Sequence, residues 1–197
     1  RALDIAVQQD QAACAELIRN HVSTDPATPV LYRLALNNGV AGVRAELRRP
    51  GCDVEAKESE FGEGALHIAA VKGHMEVARV LLDAGASLEA TDKDGATTLM
   101  SAAFNGRRET AALLIERGAN VDHQSLQGVT PLMGAALEGH RALVELLLSH
   151  GANTELRDAQ GRSALDIATR ANKAECEALI RNHMRPALYR LARDNDM

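Results

Sequence analysis

The sequence predicts an all-α repeat solenoid, a stack of short helix pairs rather than one globular core. Three observations carry the prediction. First, Ala65-Leu66-His67-Ile68-Ala69-Ala70 returns as Thr98-Leu99-Met100-Ser101-Ala102-Ala103, as Pro131-Leu132-Met133-Gly134-Ala135-Ala136 and, shortened, as Ala164-Leu165-Asp166-Ile167-Ala168. Second, Leu66, Leu99, Leu132 and Leu165 lie 33 positions apart, as do Gly73, Gly106 and Gly139, and Gly85, Gly118 and Gly151. Third, apolar residues recur at helical spacing between the glycine columns. A fixed period of this size means stacked supersecondary units, each burying its apolar face against its neighbours. Such a stack offers a long continuous surface and no deep central pocket, so binding is the expected activity.

The units are expected at about 1–24 (partial), 25–57, 58–90, 91–123, 124–156, 157–183 and 184–197 (partial), all within one domain of residues 1–197. In the unit 25–57, helices are expected over Thr28 to Asn38 and Val40 to Arg49, separated by Gly39 and followed by Gly51. In the unit 58–90, Ala65 to Lys72 should form a first helix and Gly73-His74 a turn. Met75 to Ala84 should form the second helix, with Val77, Val80, Leu81 and Leu82 facing inward. Gly85 stops it, since glycine tolerates the positive φ of a helix end. Asp94-Gly95 is a turn dipeptide that sends the chain back to the next pair. The unit 124–156 is the cleanest. Thr130 is an N-cap, and Pro131 fits the first helical position, where a missing N–H costs nothing. Leu143, Val144, Leu146 and Leu147 form its buried stripe. The repeated positions predict a spine of Leu66, Leu81, Leu99, Leu114, Leu132, Leu147 and Leu165.

A longer repetition joins the two ends. Twelve of the 20 positions from Ala2 to His21 recur at an offset of 162, between Ala164 and His183, and Leu31-Tyr32-Arg33-Leu34-Ala35 returns as Leu188-Tyr189-Arg190-Leu191-Ala192. The linker His183-Met184-Arg185-Pro186 is too short for a full connection, so a separate last helix from Pro186 to about Asn195 should follow directly. That helix either folds back on Leu179 and Ile180 as a cap or leaves Leu188, Tyr189 and Leu191 open to weak head-to-tail self-association.

Composition narrows the function. Aromatic residues make up 2% of the chain, and alanine and leucine take their place, which suits thin, closely packed helices. The net charge of −5 argues against a nucleic-acid partner, which a basic stripe would serve. No run approaches a membrane span, so no membrane partner is expected. Cys14, Cys52 and Cys176 lack metal-ligand spacing and read as free thiols of a reducing compartment, so the cytoplasm is expected, with the nucleus as the alternative. No phosphate loop, no metal set and no nucleophile with its base emerges. The chain is therefore expected to be no enzyme and to use neither cofactor nor metal.

Gly128-Val129-Thr130-Pro131-Leu132-Met133, Glu138-Gly139-His140 and Leu146-Leu147-Leu148-Ser149-His150-Gly151-Ala152-Asn153 resemble the ankyrin repeat, whose period is 33 and whose signature is Thr-Pro-Leu-His. The likeness covers residues 25 to 183, although the Thr-Pro pair is complete only at Thr28-Pro29 and Thr130-Pro131, and the signature His survives only as His67. The resemblance implies antiparallel helix pairs with short β-hairpin fingers, and a structural role for His67 in tying neighbouring fingers together. His74 and His140, in the inter-helix turns, read as structural too. The finger from Asp53 to Glu63 is one residue longer than the others, and Glu58, Glu60 and Glu63 should make its tip acidic. The resemblance further implies a protein-binding concave face. Its variable positions before the turn are Asn37, Val71, Phe104, Leu137 and Arg170; on the fingers they include Glu60, Phe61, Glu63, Lys93, Asp94, Ala96, Leu126, Gln127, Val129, Ala159 and Gln160. Phe61, Val71, Phe104, Leu126 and Leu137 suggest an apolar strip flanked by charge. The competing reading packs Val71, Phe104 and Leu137 between helices. Two further alternatives are an architectural segment of a longer array and a regulatory domain of an enzyme.

Overall fold

The computed structural model describes the backbone of residues 28–194 and the side chains of residues 28–184. Everything expected of Ala2 to His21, Cys14 and the side chains of Leu188, Tyr189 and Leu191 lies outside the described residues.

Helices form where the sequence supplies both an apolar stripe and a stop. The described residues hold five pairs: α1 (Val30–Leu36) and α2 (Val40–Glu46), α3 (Ala65–Lys72) and α4 (Met75–Asp83), α5 (Thr98–Phe104) and α6 (Arg108–Glu116), α7 (Pro131–Glu138) and α8 (Arg141–Ser149), α9 (Ala164–Arg170) and α10 (Ala174–Asp194). Thr130 caps α7 as expected, its hydroxyl accepting the Met133 N–H at 3.2 Å, with Pro131 in the first turn. At α9 the sequence departs from Thr-Pro, yet Ser163 and Asp166 form a reciprocal capping box. Asp166 is held below the usual carboxylate range by hydrogen bonds from the Ser163 N–H and hydroxyl.

The first helices of the pairs form one row, α1-α3-α5-α7-α9, and the second helices form the other, α2-α4-α6-α8-α10. The first row is the more closely packed, because alanine pairs face each other across it. Ala69, Ala70, Ala102, Ala103, Ala135, Ala136 and Ala168 have no exposed surface. Two contiguous apolar clusters fill the space between the rows, and Leu82 touches both. Of the expected spine, Leu66, Leu81, Leu99, Leu114, Leu132 and Leu147 are buried. Leu165 is only half-buried, because no described first-row helix follows α9 to cover it. Leu82 and Leu146 sit half-buried at the stripe edges, while Leu148 is buried.

The inter-helix turns lock each pair to the one before. His74 Nε2 lies 3.2 Å from the Leu36 carbonyl, the Arg107 Nε donates to the Val71 carbonyl at 2.9 Å, and His140 Nε2 lies 3.0 Å from the Phe104 carbonyl. Each satisfies a carbonyl at a helix C-terminus, where cationic groups and donors are favoured. The glycines beside them are required twice over. Gly106 has φ 73°, and a Cβ there would come within 2.8 Å of the His140 ring.

The fingers are hairpin turns in their shortest form. Among the described residues two close on isolated antiparallel bridges, Lys57 with Gly64 and Thr91 with Thr97, and two on a single backbone bond, from the Ser125 and Asp158 N–H groups to the Val129 and Arg162 carbonyls. Each tip is a tight turn held by one side-chain acceptor: Glu58, Asp92, Ser125 and Asp158. The tip from Glu58 to Glu63 is one residue longer, and there a glutamate replaces the aspartate, its extra methylene reaching the N–H groups of Glu60, Phe61 and Glu63. This corrects the expected acidic tip: Glu58 and Glu63 are buried, Glu63 accepting the Tyr32 hydroxyl, and only Glu60 is exposed. Successive fingers join through single backbone bonds, from the Lys93, Leu126 and Ala159 N–H groups to the Phe61, Asp94 and Gln127 carbonyls.

The last helix also differs from expectation. The backbone runs as one helix from Ala174 to Asp194, with no separate start at Pro186 and no fold-back.

Candidate protein-binding face

The first-row helices and the fingers share one face of the stack. The position three residues before Val71, Phe104, Leu137 and Arg170 decides whether that face is filled. It is occupied in turn by Ile68, Ser101, Gly134 and Ile167. Ile68 and Ile167 are buried, whereas Ser101 and Gly134 leave space. A hollow of about 510 Å³ opens there, lined among others by Val71, Asp92, Asp94, Met100, Ser101, Phe104, Gln127, Val129 and Gly134. A second hollow of about 200 Å³ adjoins it, lined by Phe104, Val129, Met133, Gly134, Leu137, Arg162 and Ile167. Phe104 stands between the two, 37% exposed at the end of α5, with its ring beside Gly134. Its carbonyl is held by His140, so the helix end that carries the ring is fixed.

The electrostatics of the face follow from burial. Asp92 is half-buried, and burial raises its carboxyl above the usual range although the Ala96 and Asp94 N–H groups oppose the shift. His67 is buried against the Ala96 carbonyl, 3.1 Å from its Nε2. Burial lowers its basicity, so the ring is neutral and its Nε2–H donates to that carbonyl. This fits the structural role implied by the resemblance. At the far end, burial pulls the Asp158 carboxyl up, but Arg162, donating from side chain and backbone, holds it below its usual range. Arg162 is thus occupied by its own finger.

Val71, Asp94, Phe104, Gln127 and Leu137 meet on these two hollows. Val71 is buried in the cluster that includes Ile68, so only its edge reaches the larger hollow. Leu137 is half-buried against the core. Leu126 is exposed on its fingertip, 75%, with its side chain over Gly95. Glu60, Lys93 and Arg170 are exposed and Phe61 half-buried, but none lines either of these two hollows. Sequence reasoning missed Asp92, Met100, Ser101 and Gly134. The signal was the drop in side-chain size at one repeat column, from isoleucine to serine and glycine.

Among the described residues no three His, Cys, Asp or Glu side chains converge on a metal-sized site, and no helix is long and apolar enough to cross a membrane. Comparison with known proteins agrees with the geometry. The family profile described as Ankyrin repeats (3 copies) matches residues 3–125, and that described as Ankyrin repeats (many copies) matches residues 114–168. Potassium channel AKT3 of Oryza sativa subsp. japonica is 38% identical over 65 residues, 33% of this chain. The chain spans only 7% of that protein's length. Ankyrin repeats generally mediate protein–protein interaction and are generally non-catalytic. With a profile of the family matching more than half of its length, and with helix pairs, turns and fingers in the 33-residue register, the chain belongs to the ankyrin repeat family.

Proposed function

We propose that this chain is a non-catalytic module that binds another protein through its first-row helices and fingertips, centred on Phe104. The observation that carries the reading is an aromatic side chain left exposed between two hollows, on a backbone whose equivalent position in the preceding repeat is buried. Aromatic residues held at the centre of a concave patch are favoured anchors of protein interfaces. The free thiols of Cys52 and Cys176 support a reducing compartment, the cytoplasm or the nucleus, which imaging of a fluorescent fusion checks.

The test is a pull-down read by mass spectrometry with wild type, Phe104→Ser and, on the opposite row, Glu145→Ala. Proteins captured by wild type and by Glu145→Ala but lost with Phe104→Ser support the reading. Equal capture by all three overturns it. The competing reading is weak head-to-tail self-association, supported by the near-duplication of 2–21 in 164–183. It requires a mass by light scattering that grows with concentration; a constant monomer mass excludes it.

A further inference from the structure

The larger hollow is charged on one sign only. Glu63, Asp92 and Asp94 line it, and no lysine or arginine does. The cations nearby keep their charge but donate to backbone carbonyls and do not line the hollow. The Lys57 ammonium donates to the Thr91 carbonyl at 2.6 Å, the Lys93 ammonium to the Ser59 carbonyl at 2.7 Å, and Arg107 Nε to the Val71 carbonyl. The three carboxylates are not equivalent. Glu63 is buried and accepts the Tyr32 hydroxyl, so it belongs to the wall. Asp92 spends Oδ1 on two N–H groups of its own turn, and Asp94 is exposed. The remaining lining is mixed: Phe104, Val71, Met100 and Val129 form an apolar part, and Ser101, Asn105, Ser125, Gln127 and Thr130 a polar one.

We propose that this hollow takes an extended segment of a partner protein that carries an arginine or lysine beside an apolar residue, the cation against Asp92 and Asp94 and the apolar side chain against Phe104. The proposal rests on the first-row face being the binding face. A partly desolvated carboxylate gains from a cation more than a fully hydrated one does, and an acidic segment meets like charge there. The apolar part of the lining, centred on Phe104, favours an apolar neighbour for the cation. The net charge of −5 adds long-range attraction for a basic segment.

A random short-peptide library displayed on phage, selected against the full 197-residue chain at about 50 mM salt, tests this. The expected result is enrichment of peptides with Arg or Lys within two positions of Leu, Ile, Phe or Met. Their synthetic versions should bind Asp94→Lys about tenfold or more weakly, and should weaken as salt rises to about 500 mM. Asp94 is exposed, so this variant should keep its fold, which circular dichroism checks. No enrichment, enrichment without basic residues, or equal binding to wild type and Asp94→Lys overturns the proposal. Peptides of other chemistry that bind wild type but not Phe104→Ser reject the charge preference and keep the binding face. Peptides that bind Phe104→Ser as well as wild type reject both.

Discussion

The α3–α4 repeat and the α5–α6 repeat share a backbone, a period and a leucine spine, yet they present opposite surfaces to the same side of the stack. The α3–α4 repeat is closed. Ile68 and Val71 are buried, His67 is pinned to the next finger, and Glu63 is tied to Tyr32. The α5–α6 repeat is open. Ser101 stands in the place of Ile68, Phe104 in the place of Val71, and the following Gly134 adds no side chain beside the ring. The solenoid's stability and its surface are therefore set by different columns of the repeat. One column can be hollowed in two consecutive units without disturbing the leucines behind it.

The largest effect should fall where the two repeats are alike. Leu132 is 1% exposed, and Leu132→Ala should cost about 2–5 kcal/mol in chemical denaturation, as buried leucine truncations do. A loss under about 1 kcal/mol would mean that the spine is not shared and the comparison has no common background.

The next effect separates the repeats. Val71→Ser removes buried methyl groups and buries a hydroxyl, and should cost about 1–3 kcal/mol. Phe104→Ser, at the same column one repeat later, should cost less than Val71→Ser, because 37% of Phe104 already meets solvent. Equal melting shifts for the two would erase the distinction between closed and open repeats.

Gly134→Ala should act in the opposite direction. A Cβ there meets Phe104 atoms at 3.8 Å, ordinary contact, and the residue is helical. The change should stabilise the chain by about 0.5–1 kcal/mol through lost unfolded-state freedom. The same methyl should narrow the hollow. Destabilisation in thermal denaturation would show that the space beside Phe104 is needed by the fold.

The smallest effect is a pH slope. His67 is less basic folded than unfolded, so the unfolded chain takes up its proton first. Stability should fall as pH drops through the ordinary histidine range toward the lower folded value. Above that range the neutral ring donates to Ala96 at no such cost. Comparing wild type with His67→Gln across pH 5 to 8 isolates the slope, about the window in which histidine changes charge. An identical pH dependence in both would remove His67 from the account of the closed repeat.

The sequence by itself determined everything that repeats. The leucine column, the alanine pairs, the turn glycines and the Thr130-Pro131 start are local or strictly periodic, so a 33-residue comparison finds them without coordinates. Even the His74 and His140 turns were legible as structural positions, although their partners, Leu36 and Phe104, were not. Tertiary structure decided which variable positions face solvent. Burial of Val71 and exposure of Phe104 depend on whether Ile68, Ser101 or Gly134 stands beside them, and those neighbours lie one turn away or one whole repeat away. The burial of Glu58 and Glu63 was hidden for a similar reason. A carboxylate that folds back on its own fingertip, or accepts a tyrosine from the preceding repeat, has the same letter in the sequence as one that faces water. Periodicity reports what each unit shares, whereas a hollow arises where two units stop sharing it, and only packing shows whether the neighbours close over the gap.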